Sequence, residues 1–120
     1  KDKIIVSVDA QGNRVLIKGW KSSFASLDIL KFARILKETG FKEIIYTDIL
    51  KDGTLKGPNI RSIKSLLKET GMKIIVSGGI SSLDDISRLK LLEKKGVTGV
   101  IIGKALYEGK FTLSGAAKLG

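Results

Sequence analysis

The sequence contains neither cysteine nor histidine. Without cysteine there can be no disulfide and no thiolate-bound metal, which fits a reducing cytoplasm. Without histidine, the imidazole that most often serves as a base or metal ligand near neutral pH is missing. Acid–base chemistry must come from Asp, Glu, Lys or Tyr, or from a partner chain. Proline occurs once, and the 14 glycines fall singly or in pairs at turns, unlike a disordered or collagen-like chain. No apolar run reaches the roughly 18 residues of a membrane span, and the opening Lys1-Asp2-Lys3 does not read as a secretory leader.

What is abundant is positive charge: the formal net charge is +10. Lysine supplies most of it, with arginine only at Arg14, Arg34, Arg61 and Arg88, whereas bidentate readers of bases and phosphates favour arginine. The lysines are spread over every segment, and the few aromatic rings do not interleave with them as stacking platforms would. A solvated, lysine-rich surface that attracts anionic substrates is expected, not a nucleic-acid interface.

The 120 residues suffice for one domain, and strand-like and helix-like runs alternate along them. Ile4–Val8, Glu43–Thr47, Lys73–Ser77 and Gly99–Ile102 are apolar and largely β-branched, as parallel strands covered by helices tend to be. Between them, Leu27, Leu30, Phe32, Ala33 and Leu36 form one helical stripe, Ile60, Ile63, Leu66 and Leu67 a second, and Ile86, Leu89 and Leu92 a third. Two ends repeat, Glu38-Thr39-Gly40-Phe41-Lys42 and Glu69-Thr70-Gly71-Met72-Lys73, each a helix stop leading into a strand. Ser81 or Ser82 and Asn59 are expected helix caps. The fold class is α/β, with residues 1–120 forming a single unit of four parallel βα repeats. Four such repeats cannot close an eight-stranded barrel, and an open sheet would leave edges and a face uncovered. The start close to a strand and the end in the helix-like Leu113–Leu119 suggest a piece of a larger barrel, natural or engineered.

Side-chain alternation puts Ile5, Ser7 and Asp9 on one face of the first strand, with Ile45 and Thr47, Ile75 and Ser77, and Ile101 and Gly103 on the same face of the others. Each strand would then offer an apolar residue low down and a small or polar one near the rim. Asp9 is the foremost catalytic candidate, because partial burial at a strand end would favour its proton-donating form; it could equally start the turn before Gly12. The long stretch from Thr47 to Asn59 contains Asp48 and Asp52 and exceeds a simple turn. Ser77-Gly78-Gly79 and Ile102-Gly103-Lys104 are glycine-bearing turns that each open a helix, suited to cradling a phosphate or simply to turning. Trp20 lies in a polar stretch, either packing over the barrel or acting as a lid that stacks on a flat ring.

These segments together resemble the aldose–ketose isomerases of the histidine pathway, the ProFAR isomerases. The matching stretches are Ser7-Val8-Asp9, Gly12-Asn13-Arg14-Val15, Lys18-Gly19-Trp20, Thr47-Asp48-Ile49 with Lys51-Asp52-Gly53-Thr54-Leu55, Ser77-Gly78-Gly79-Ile80-Ser81-Ser82 and Gly99–Gly109. The resemblance runs over essentially the whole chain but covers only the second half of the family's (βα)8 barrel. It implies an Amadori rearrangement of a bisphosphorylated aminoimidazole carboxamide ribonucleotide, with no metal or organic cofactor. It implies Asp9 as general acid, Thr47 as its support, Asp52 as a loop carboxylate near the site and Trp20 as a substrate-packing residue. It also implies Ser77, Gly78, Gly79, Gly103 and Lys104 around one of two phosphates. The family's other catalytic aspartate and other phosphate site have no counterpart in this chain, so an N-terminal half-barrel or a second copy is the expected partner, with no nucleic acid and no membrane. The alternatives are an inert half-barrel scaffold or designed homodimer with phosphate-binding turns, and the cyclase subunit that makes imidazole glycerol phosphate.

Overall fold

A computed structural model describes residues 4–12, 14–16, 26–51 and 56–120. The strands are β1 (Val6–Gln11), β2 (Arg14–Leu16), β3 (Ser26–Asp28), β4 (Glu43–Asp48), β5 (Lys73–Ser77) and β6 (Val97–Ile101). The helices are α1 (Ile29–Thr39), α2 (Ile60–Thr70), α3 (Leu83–Lys90), α4 (Lys104–Tyr107) and α5 (Leu113–Leu119). They build one sheet in the order β3-β2-β1-β4-β5-β6. β1, β4, β5 and β6 run parallel, while β2 and β3 add an antiparallel ribbon to the end of β1. The four expected βα repeats are therefore present.

Several boundaries differ from the sequence expectation: β4 runs one residue further, to Asp48, and Leu92 of the third stripe lies beyond α3. β1 starts later and runs on to Gln11 because its end gains β2 as a partner, with Ala10 opposite Val15. Leu27, expected in the first helical stripe, pairs with Val15 in β3 instead; α1 begins only after Asp28, whose carboxylate accepts the Leu30 N–H at 2.8 Å. β6 runs from Val97 to Ile101, earlier than expected. Its register skips Thr98, with Val97 opposite Ile74 but Gly99 opposite Ile75. Ile101 thereby stands level with Ser77, at the rim and not below it.

The repeated Glu-Thr-Gly ends fold alike. Thr39 and Thr70 each donate a hydroxyl to the carbonyl four residues back, and Gly40 and Gly71 close their helices with positive φ, a conformation that costs glycine little. The apolar residue that follows then turns toward the core: Met72 is buried and Phe41 half-buried.

The sheet has two unlike faces. Val8, Ala10, Ile44, Tyr46, Ile74, Val76 and Val97 are buried in one cluster with the apolar stripes of the helices, including Ile63, Leu66 and Leu89. Full burial of the valine, isoleucine and leucine side chains stabilises by about 1.5–3 kcal/mol each. On the opposite face Ser7 and Asp9 are exposed, and Ile45, Thr47, Ile75 and Ser77 are only half-buried. Ile5 and Ile101 each keep 45% of their surface in solvent. Two edges are open as well. β1 pairs with β2 only at Ala10 and Gln11, so Val6–Asp9 lack a neighbour on that side among the described residues, and β6 ends the sheet.

Candidate active-site rim

Register gathers the candidate groups. Asp9 is opposite Thr47, Thr47 opposite Ser77 and Ser77 opposite Ile101. These four residues form one row across four parallel strands at their C-terminal ends. A row of paired residues shares one face, and here it is the uncovered one. Asp9 is exposed; the partial burial expected of it is not supplied by this chain, because nothing among the described residues packs over that face.

At the β5–β6 end the row runs into a pocket of about 100 Å³ lined by Ser77, Gly78, Gly79, Ile80, Ile101, Gly103 and Lys104. All five residues expected to hold a phosphate thus line one cavity, together with two isoleucines. Gly78 and Gly79 have φ of 98° and 81°, which turn the chain so that backbone, not side chain, faces the pocket. Gly103 precedes α4 and brings no side chain to cap it. Lys104 places its ammonium 3.8 Å from Glu108, on the same rim. Trp20 and Asp52 lie outside the described residues.

The start of α3 is capped by a serine, as expected, and is tied further by Asp85. Ser82 caps the helix by accepting the Asp85 N–H, and the Asp85 carboxylate accepts both the N–H and the hydroxyl of Ser81, each at 2.9 Å. Arg88 donates to the other Asp85 oxygen. Burial alone would push the Asp85 pKa up. The Ser81 amide and hydroxyl and the Arg88 guanidinium outweigh it and hold the carboxyl below its ordinary value. Asp85 therefore fixes the turn that follows Gly79, and the turn glycines are left to face the pocket.

A second carboxylate, Asp48, sits next to Thr47 but points to the helix side and is only 3% exposed. One oxygen accepts the Leu50 N–H at 3.0 Å, the other the Asn59 side-chain amide at 2.9 Å. Asn59 in turn caps α2 through the Ser62 N–H, as its position before the second stripe indicated. The roles of Asp48 and Asp85 were not drawn from the sequence. For Asp48 the available signal was alternation: an aspartate one residue after a rim-facing threonine must face the core, and a buried carboxylate must be hydrogen-bonded. No group of three or more Asp, Glu, His or Cys is placed to hold a metal among the described residues, and no described helix is long and apolar enough to cross a membrane.

Four parallel βα units, with β6 and the Val6–Asp9 stretch of β1 open on one side among the described residues and a polar row and a glycine-lined pocket at the strand ends, define half of a (βα)8 barrel. The chain belongs to the histidine biosynthesis protein family, whose model matches residues 1–112. Among curated relatives it is 49% identical over 115 residues to a protein of Caldanaerobacter subterraneus subsp. tengcongensis, covering 96% of this chain and 46% of that one. It is 45% identical over 117 residues to one of Syntrophomonas wolfei, covering 98% and 48%, and 44% identical over 118 residues to one of Desulforudis audaxviator, covering 98% and 45%. All three are named 1-(5-phosphoribosyl)-5-((5-phosphoribosylamino)methylideneamino) imidazole-4-carboxamide isomerase. The chain spans about half the length of the curated relatives it matches.

Proposed function

We propose that this chain is the C-terminal half of a (βα)8-barrel isomerase that converts the aminoaldose of a bisphosphorylated imidazole carboxamide ribonucleotide to the aminoketose, in the cytoplasm. The observation that carries the proposal is the row Asp9–Thr47–Ser77 running directly into the glycine pocket. A substrate phosphate held by the Ser77–Gly79 turn, Gly103 and Lys104 would lay the attached ribose along the row toward Asp9.

In that position Asp9 protonates the ribose ring oxygen. The bond from that oxygen to C1′ breaks as the nitrogen lone pair forms a C=N bond. A carboxylate then removes the C2′ proton, and tautomerisation of the resulting enolamine gives the ketose. Thr47, beside Asp9 on the same face, is assigned to support it. Asp52 and Trp20 are assigned to the loop carboxylate and the ring-stacking residue by resemblance. No metal or organic cofactor enters these steps.

The second carboxylate and the second phosphate site belong to whatever closes the barrel. The uncovered apolar face and the two open edges favour an N-terminal half-barrel or a second copy of this chain, with β1 and β6 pairing to the strands of the other half. Closure would also bury Asp9 and exclude the water that now surrounds it, strengthening every charge interaction at the rim.

The test is turnover of the bisphosphorylated aminoaldose by the chain alone and mixed with the complementary N-terminal half of a relative, each with Asp9→Asn as control. Turnover that needs mixing and is lost in D9N is the expected result. Turnover by the chain alone indicates a symmetric dimer, whereas none in either case, with phosphate still bound, indicates a phosphate-binding scaffold.

A further inference from the structure

The connection between β4 and α2 is tied at both ends by one buried carboxylate. Asp48 accepts the Leu50 N–H at the start of the connection and the Asn59 side-chain amide at its end. Just inside that second tie, the Gly57 N–H donates to the Gly79 carbonyl at 2.8 Å. Gly79 lies so close that a Cβ on it would stand 2.5 Å from the Gly57 oxygen and 2.9 Å from the Lys51 Cβ. Lys51 and Gly57, near the two ends of the connection, are thus the wall against which Gly79 rests.

We propose that Asp48 is a positioning residue: by latching both ends of the β4–α2 connection, it fixes the Gly79 turn and thereby the shape in which the rim pocket receives a phosphate. The inference rests on the phosphate reading of that pocket. Its chemistry is directional. Asp48 has only acceptors to offer and Asn59 presents its amide N–H to it, because the Asn59 carbonyl oxygen is already engaged by the Ser62 N–H. Replacing Asp48 by Asn sets two amide donors against each other. Exchanging the pair, Asn at 48 and Asp at 59, restores every hydrogen bond with the polarity of one reversed.

The test titrates the full chain with inorganic phosphate, following the amide resonances of Ser77, Gly78, Gly79 and Gly103, and measures hydrogen exchange at the Gly57 amide. It compares the unaltered chain with D48N, N59D and D48N/N59D. D48N is expected to weaken phosphate binding and to speed Gly57 exchange, each by about tenfold, while Ile74 in the core of β5 keeps its protection. The double variant returns both to within about twofold of the unaltered chain. Charge alone cannot mimic this, since D48N removes a negative charge and would on that ground attract phosphate more strongly. If D48N folds poorly, the double variant still decides the point, because it fails to restore Gly57 unless the paired hydrogen bonds are what matters. Unchanged Gly57 exchange in D48N, or a double variant no better than the singles, overturns the latch. Absence of any phosphate response in the unaltered chain overturns instead the reading of the pocket, and Gly57 exchange in the variants still decides whether Asp48 holds the connection.

Discussion

The Gly57 N–H and the Gly79 carbonyl meet at 2.8 Å, and this contact joins two βα connections that are 22 residues apart in sequence. Both glycines have positive φ, but their surroundings differ. A methyl at Gly79 collides with backbone, whereas one at Gly57 meets only side-chain atoms at ordinary distances, Asp85 at 3.5 Å and Arg88 at 3.9 Å. Gly79→Ala should therefore cost about 3 kcal/mol or more, from strain plus collision, and Gly57→Ala about 1 kcal/mol from backbone strain. Urea denaturation of the two variants checks the ranking; equal losses would contradict it.

Asp85 should make stability acid-sensitive in a defined direction. Its folded pKa lies below its unfolded value, so its contribution is complete above the unfolded pKa and is lost as pH falls through the folded one. Asp85→Asn should cost about 2 kcal/mol at neutral pH, where a charge-assisted bond to Arg88 and one of the two Ser81 bonds are weakened. The gap between the variant and the unaltered chain should close as pH drops below about 4. Thermal melts from pH 7 to pH 2.5 measure it.

Tyr46 should act at the opposite end of the scale. It is 2% exposed, and its hydroxyl completes no hydrogen bond among the described residues. Burial first, then the nearby Asp48 carboxylate, push its pKa up to about 12, against a smaller opposing effect of the Ser62 hydroxyl. A raised folded pKa means stability that is whole below the unfolded value of about 10 and lost as pH climbs through the folded one. Tyr46→Phe removes both the orphan hydroxyl and the titration. It should be neutral or stabilising by up to about 1 kcal/mol at pH 7 and should lose less stability than the unaltered chain between pH 10 and 12. A variant destabilised by 2 kcal/mol or more at neutral pH would show that the hydroxyl has a partner.

The four parallel repeats and the face carrying Asp9, Thr47 and Ser77 were legible in the sequence because alternation and helical spacing are local patterns, and each of these strands is apolar on its helix side. The β2–β3 ribbon was not. Its strands are three residues each, too short for a period to emerge, and Leu27 fits a helical stripe equally well until Asp28 caps the helix after it. The rim level of Ile101 was hidden for a different reason: the skipped Thr98 is a property of pairing between β5 and β6 that neither strand specifies alone. The latch of Asp48 and Asn59 spans 11 residues, and sequence spacing does not reveal that a polar loop returns to its own start.

The most direct measurement is sedimentation of the chain alone and with the complementary N-terminal half of a relative. Cover for the face bearing Ile5, Ile45, Ile75 and Ile101, and pairing for the side of Val6–Asp9 that has no neighbour among the described residues, should appear as a closed species heavier than the monomer, with β1 and β6 amides newly protected from exchange. A chain that stays monomeric in both experiments, with those edges already protected, would contradict the half-barrel account.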